Sequence, residues 1–170
     1  MSLKTQNAAV AACTTLSPRD ALADALSCFT RAQAGAIAKK AGVTVRQAAN
    51  AICGRPVETI SYLRICTALE FDPLPEIPHP LLGEPSDFIF GLFGSAFAIR
   101  RRLQNLTHRN AGQAIASAAA TVVRIERGDV MSIGVVLRAC RWLDMHPYGY
   151  CTPCLPKVSR ETRTETAVVQ

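Results

Sequence analysis

No hydrophobic run free of charge approaches the ~18 to 20 residues that a membrane-spanning helix needs, which rules out a transmembrane protein. Aromatic residues make up only 6% of the 170-residue chain, while alanine occurs 26 times, so the apolar mass lies in small, helix-favouring side chains. A mostly helical protein is expected. Histidines number three, His79, His108 and His146, and no Gly-rich phosphate loop or paired-carboxylate constellation accompanies them, so an enzyme is not expected. No basic block stands out either. The net charge of +6 divides as +2 over residues 1–78, +3 over 79–155 and +1 beyond, a modest positive balance compatible with a nucleic-acid surface.

The seven cysteines are scattered and odd in number, and the N-terminal stretch is too weak for a secretory signal. Together these point to a reducing cytoplasm, with most of the thiols serving as small core hydrophobes. The apolar content of 49% suffices for a core.

Half of the ten prolines, Pro73, Pro75, Pro78, Pro80 and Pro85, fall between residues 72 and 86. They deny a continuing helix its donors and its backbone freedom. A semi-rigid spacer results, with a reach of roughly 45 Å at ~3.1 Å per residue. The expected organisation is an N-terminal arm (1–16), a first domain (17–77), a Pro-rich linker (78–91), a second domain (92–155) and a flexible tail (156–170).

The two segments superpose without gaps at a constant offset of 74, residues 31–73 lying over 105–147. Leu63, Arg64, Cys66, Leu69 and Pro73 fall on Leu137, Arg138, Cys140, Leu143 and Pro147, and Gly54 falls on Gly128. This pattern predicts a duplication. In the first segment, Ser17, Pro18 and Asp20 start a helix with Leu22, Ala25, Leu26 and Phe29 inward, and Thr30 with Gln33 forms a capping box. A second helix carries Ile37, Ala38 and Ala41 and stops at Gly42; a third runs from a Thr44 cap to Cys53, and a fourth from Val57 to Glu70. The second segment repeats the plan with helices at Phe93–Asn105, after Thr107, from Ala118 or Ala119 to Arg127, and at Ser132–Leu143. A helix, a turn of about three residues around a glycine and a second short helix make a helix-turn-helix.

At residues 114–147, AIASAAATVVRIERGDVMSIGVVLRACRWLDMHP, the sequence resembles the Cro and lambda-repressor-like (XRE-type) helix-turn-helix domains. Ile125-Glu126-Arg127-Gly128 and the helix after it carry the likeness. The stretch AIAKKAGVTVRQAANAICG of the first segment is similar to the same family through Ile37-Ala38, Gly42-Val43-Thr44 and Gly54, so the fold expected is all-α, with two tandem domains of this kind. The first segment departs in having Ile52 where the second has Glu126, and the second has Ala116-Ser117-Ala118 in place of the usual glycine turn.

The resemblance implies a sequence-specific DNA-binding transcriptional regulator, a repressor, that reads the major groove of double-stranded DNA with one or both modules. No cofactor is implied, and a homodimer or a protein partner in transcription control are the further partners. Thr44, Arg46, Gln47 and Asn50 lie along one side of the first recognition helix, with amide and guanidinium groups able to read base edges. On the second, Thr121 and Arg124 are the matching readers beside Ala118 and Ala120, a surface poor in donors. Lys39, Lys40, Arg100, Arg109 and Arg127 are the candidate phosphate contacts, and the resemblance also offers Arg101 or Arg102 as a salt-bridge partner of Glu126. Cys151 and Cys154 form a CxxC close in sequence to Cys140 and His146, a weak zinc signature beside incidental packing. The rival reading is a protein-interaction module, an antiactivator or dimerisation protein on a degenerate helix-turn-helix fold, for which Phe88, Phe90, Phe93 and Phe97 offer a packing surface.

Overall fold

A computed structural model describes residues 33–78 and 83–153. The predicted arm, the Ser17 helix, the Thr30 cap, His79, Cys154 and the tail lie outside the described residues. Three short helices come first: α1 (Ala34–Ala41), α2 (Val45–Ile52) and α3 (Thr59–Ala68). Strand β1 (Pro85–Phe88) leads into α4 (Phe90–Leu103), α5 (His108–Ala114), α6 (Ala119–Arg127) and α7 (Ile133–Leu143). A 3-10 turn at Pro147–Tyr150 and strand β2 (Cys151–Pro153) close the described chain, β2 pairing antiparallel with β1. The fold is mainly helical, and no described helix is long and apolar enough to cross a membrane.

Local chemistry explains where the helices begin and end. Lys39 and Lys40 sit in the last turn of α1, where cations complement the helix dipole, and Gly42 ends it at φ 61°, in the left-handed region. Thr107 caps α5 by accepting from the Asn110 amide at 3.2 Å. Gly128, at φ 78°, ends α6 as its sequence predicts.

Each of α1, α2 and α3 has a counterpart at the offset of 74 in α5, α6 and α7, with bounds agreeing to within a residue. The left-handed residues obey the same offset. Gly42 and Ala116, Gly54 and Gly128, and Glu70 and Asp144 are all at positive φ. Backbone geometry is thus shared even where the side chain disfavours it, as at Ala116 with φ 48°.

A single hydrophobic cluster includes residues of both segments. Within it α3 is buried on most sides, through Thr59, Ser61, Tyr62, Leu63, Ile65 and Cys66, because it packs against α1 and α2 of its own segment and against β1 and α7 of the other. Polar bonds cross the same boundary. Thr59 Oγ1 donates to the Met131 carbonyl at 3.0 Å, Tyr148 Oη donates to the Leu63 carbonyl at 2.9 Å, and His146 Nε2 meets Asp72 Oδ1 at 2.9 Å.

The described parts of the proline-rich stretch, on either side of residues 79–82, are anchored to the core. Leu74 is fully buried and Ile77 nearly so, and Arg64 holds the Pro85 and Ser86 carbonyls at 2.9 and 2.7 Å. Prolines prevent a helix here, but the apolar side chains between them gain more from burial than from standing in water. Strand β1 and the first turn of α4 also occupy residues assigned to the linker 78–91, so ordered structure begins well before residue 92.

Candidate nucleic-acid interface

Helix α1, the three residues Gly42, Val43 and Thr44, and helix α2 form a compact corner. Thr44 and Gln47 close it as a capping box: Thr44 Oγ1 accepts from the Gln47 amide at 3.2 Å, and Gln47 Oε1 accepts from the Thr44 amide at 2.9 Å. The Thr44 hydroxyl also donates to Gln47 Oε1 at 2.8 Å, and Gln47 Nε2 donates to Ser61 Oγ at 2.8 Å. Both ends of the Gln47 amide are therefore used inside the protein, which corrects the expectation that it reads bases. Internal bonds of good geometry replace solvent here and anchor α2 to α3.

Arg46 remains exposed on the first turn of α2, and Asn50 is half-buried one turn later on the same side. Val45, 57% exposed, lies beside them and was missed as a candidate because it falls outside the inward stripe. Its methyls suit a thymine methyl. Lys39 and Lys40 are exposed at the end of α1, and Arg55 is exposed just past α2. Arg55 was missed because Gly54-Arg55-Pro56 reads only as a helix stop. An acid also lies close: a Cβ placed on Gly42 would sit 3.7 Å from Glu84 Oε1.

The second corner is built from α5, the residues 115–118 and α6. Arg138 braces it by donating from Nε to the Ile115 carbonyl at 2.8 Å and from Nη2 to Ser117 Oγ at 3.2 Å. Its equivalent Arg64 is committed instead to Pro85 and Ser86. Ala118, Ala120 and Arg124 are exposed and Thr121 is half-buried, so hydrogen-bonding groups are few on this helix. Arg124 Nε makes a loose pair with Asp129 at 3.3 Å, while Arg109 and Arg127 are exposed.

The arginine run of α4 splits three ways. Arg100 is turned inward, donating from Nη1 to the Leu143 carbonyl at 2.6 Å and lying 5.7 Å from the Trp142 ring centroid, so it is a packing residue and not a phosphate contact. Arg101 grips Glu126 with Nε and Nη2 at 2.5 and 3.1 Å and bonds the Leu106 carbonyl through Nη1. This hydrogen-bonded guanidinium holds the Glu126 carboxyl below the usual carboxylate range. Arg102 is exposed, and takes the place of Arg100 as the cation that α4 presents.

Of the four residues of the zinc reading, Cys140, His146 and Cys151 are described and Cys154 is not. The ring nitrogens of His146 are engaged by Asp72 and by the Tyr148 amide, and the Cys151 thiol faces the Pro147 carbonyl. Burial pushes that thiol up to about 12 and raises that of Cys140 as well. Among the described residues no group of three metal-ligating side chains forms. Nor are the phenylalanines an open surface: Phe88, Phe93 and Phe97 are buried, with their rings tilted or edge-on against Tyr150 and Trp142.

Comparison of the chain with protein-family models, with curated proteins and with solved structures finds no match.

Proposed function

We propose that the chain is a sequence-specific DNA-binding transcriptional regulator, a repressor, built from two lambda-repressor-like helix-turn-helix units. The observation that carries this reading is the first corner: a helix whose exposed Arg46 and half-buried Asn50 stand together, set on a left-handed turn at Gly42 and flanked by exposed Lys39, Lys40 and Arg55. A guanidinium and a carboxamide on the leading turns of a short helix suit bidentate contacts to guanine and adenine, and the cations suit phosphates. Arg109, Arg124 and Arg127 give the second corner a phosphate-binding character with little base reading.

The test is selection from a randomised duplex pool, followed by fluorescence anisotropy at several salt concentrations. Arg46→Ala and Asn50→Ala should each cost about 1–3 kcal/mol on the selected sequence and little on random DNA. Equal losses on both would reject base reading. A second reading, a protein-interaction module, is favoured by one feature: Leu92, Ile99 and Leu103 of α4 are 50%, 59% and 78% exposed along one stripe. If no sequence is enriched and a defined protein partner requires those three residues, this second reading replaces the first.

A further inference from the structure

Three contacts between the two segments are related by the offset of 74. Asp72 and His146 stand at equivalent positions, separated by the offset of 74, and they touch each other at 2.9 Å. Equivalent positions meet in this way at a two-fold axis. Two further contacts fit the same operation. Thr67 Oγ1 meets Tyr148 Oη at 2.8 Å, while Arg141, the counterpart of Thr67, meets Glu76 at 2.6 Å, and 148 and 76 are equivalent to within two residues. A head-to-tail array of the segments would leave such contacts one-sided. Here they run both ways, as in an isologous dimer, but inside one chain.

From this we infer that, if the chain binds DNA as proposed above, it does so as a single-chain pseudo-dimer on an asymmetric site. A two-fold rotation preserves the component of any direction along its axis. Extended from these contacts to the whole segments, the operation sets α6 on the same side of the molecule along that axis as α2. One chain can then set two helices toward one duplex, which a dimer of single helix-turn-helix units needs two chains to do. The axis pair itself opposes self-pairing of like segments. Two copies of the first would bring Asp72 against Asp72, and two copies of the second His146 against His146, whereas the mixed pair is hydrogen-bonded.

The two reading helices have diverged in their side chains while keeping bounds that agree to within a residue at the offset. Arg46 and Asn50 on α2 have Ala120 and Arg124 as their counterparts on α6, and Val45 has Ala119. Hence one half-site carries base-specific contacts, and the other is held chiefly through phosphates by Arg109, Arg124 and Arg127. The DNA that fits is a duplex with sequence information in one major groove and a tolerated sequence about one helical turn away.

The experiment is selection of duplexes by the full chain, then hydroxyl-radical footprinting and sedimentation equilibrium of the complex on the winner. The expected result is one chain per duplex, protection of two successive major-groove faces, and enrichment confined to one of them. Arg46→Ala with Asn50→Ala should lower affinity for the winner at least tenfold and leave random DNA unchanged. Arg124→Ala with Arg127→Ala should weaken both alike and reduce the salt slope by roughly 1–2. Arg46, Arg124 and Arg127 are exposed and Asn50 is half-buried, and circular dichroism checks that each variant is folded. A selected palindrome occupied by two chains overturns the pseudo-dimer and leaves the DNA reading intact, as does protection of a single groove. Absence of any enriched sequence overturns the DNA reading itself, and the pseudo-dimer with it.

Discussion

Replacing Glu126 by alanine should destabilise the protein by about 2–3 kcal/mol. The carboxylate receives two bonds from Arg101, at 2.5 and 3.1 Å, and lies 3.3 Å from His108 Nε2. The Arg101 and Glu126 side chains are only 12% and 14% exposed. Removing one member of a buried pair costs about 3–5 kcal/mol, because the other is left with no counter-charge in a poor solvent. Residual exposure and the retained bond from Arg101 to the Leu106 carbonyl reduce that figure. At ~2–4 °C per kcal/mol for a chain of this length, the melting temperature should fall by roughly 4–12 °C. Circular dichroism melts and urea titrations at neutral pH measure the loss, and a double-mutant cycle with Arg101→Met isolates the pair, with an expected coupling of at least ~1 kcal/mol. The pH dependence is a further check. Arg101 lowers the native carboxyl's proton affinity, so the stabilisation is complete above the ordinary glutamate value of ~4.3 and disappears as pH falls through the lowered native value. The advantage of the wild type over Glu126→Gln should therefore narrow in acid. A Glu126→Ala protein within ~0.5 kcal/mol of wild type at neutral pH, or a coupling near zero, would refute the reasoning.

Glycines separate packing from backbone effects. A Cβ on Gly94 would meet the Ile125 carbonyl oxygen at 2.2 Å, where α4 crosses α6, so Gly94→Ala should cost about 3 kcal/mol or more in a urea titration. Gly35, in α1, has nothing within 4 Å of its added Cβ, and Gly35→Ala should stabilise by about 0.5–1 kcal/mol in the same assay. Ala116 occupies the left-handed region at φ 48°, and Ala116→Gly should raise the melting temperature through about 1 kcal/mol of relieved strain. Leu74 is fully buried, so Leu74→Ala should cost about 2–5 kcal/mol; a loss near zero would restore the free spacer.

The helices were largely legible because their ends carry explicit signals. Thr44, Gly42, Gly54, Gly128 and Ser132 each mark a cap or a stop, and the structure places α1, α2, α6 and α7 between them. The inward set of α7, Ile133, Val136, Leu137, Cys140 and Leu143, follows from its period and is buried. Where the site was misjudged, the sequence contained the contrary signal. Thr44 and Gln47 have the spacing of a capping box, which claims the Gln47 amide before any base can. Three successive arginines on α4 span some 200° of the helix at ~100° per residue, so they cannot all face water. Arg100 and Arg101 turn in, and Arg102 stays exposed. Nothing local, by contrast, announces that Leu74 and Ile77 dock or that Phe88 and Phe93 close on Tyr150, since those burials depend on partners distant in sequence.

That last class of contact decides how the two segments can work. Segments on an extended ~45 Å tether would search for their grooves independently, each with its own salt dependence and with avidity set by linker length. Segments sharing α3 as a common buried helix, with Arg64 fixing the Pro85 and Ser86 carbonyls and Asp72 fixed to His146, have no such freedom. Helices α2 and α6 are then displayed at one separation. Rigidity removes the ordering cost of a second docking event, and it also removes tolerance for variable half-site spacing. On the proposed DNA-binding reading, inserting one or two base pairs between the two grooves should therefore abolish the contribution of Arg124 and Arg127 while leaving that of Arg46 and Asn50. A tethered pair would absorb the same insertion with a small loss. Affinity measured across such a spacing series distinguishes the two arrangements, and a flat response would mean that the second corner never touches the DNA.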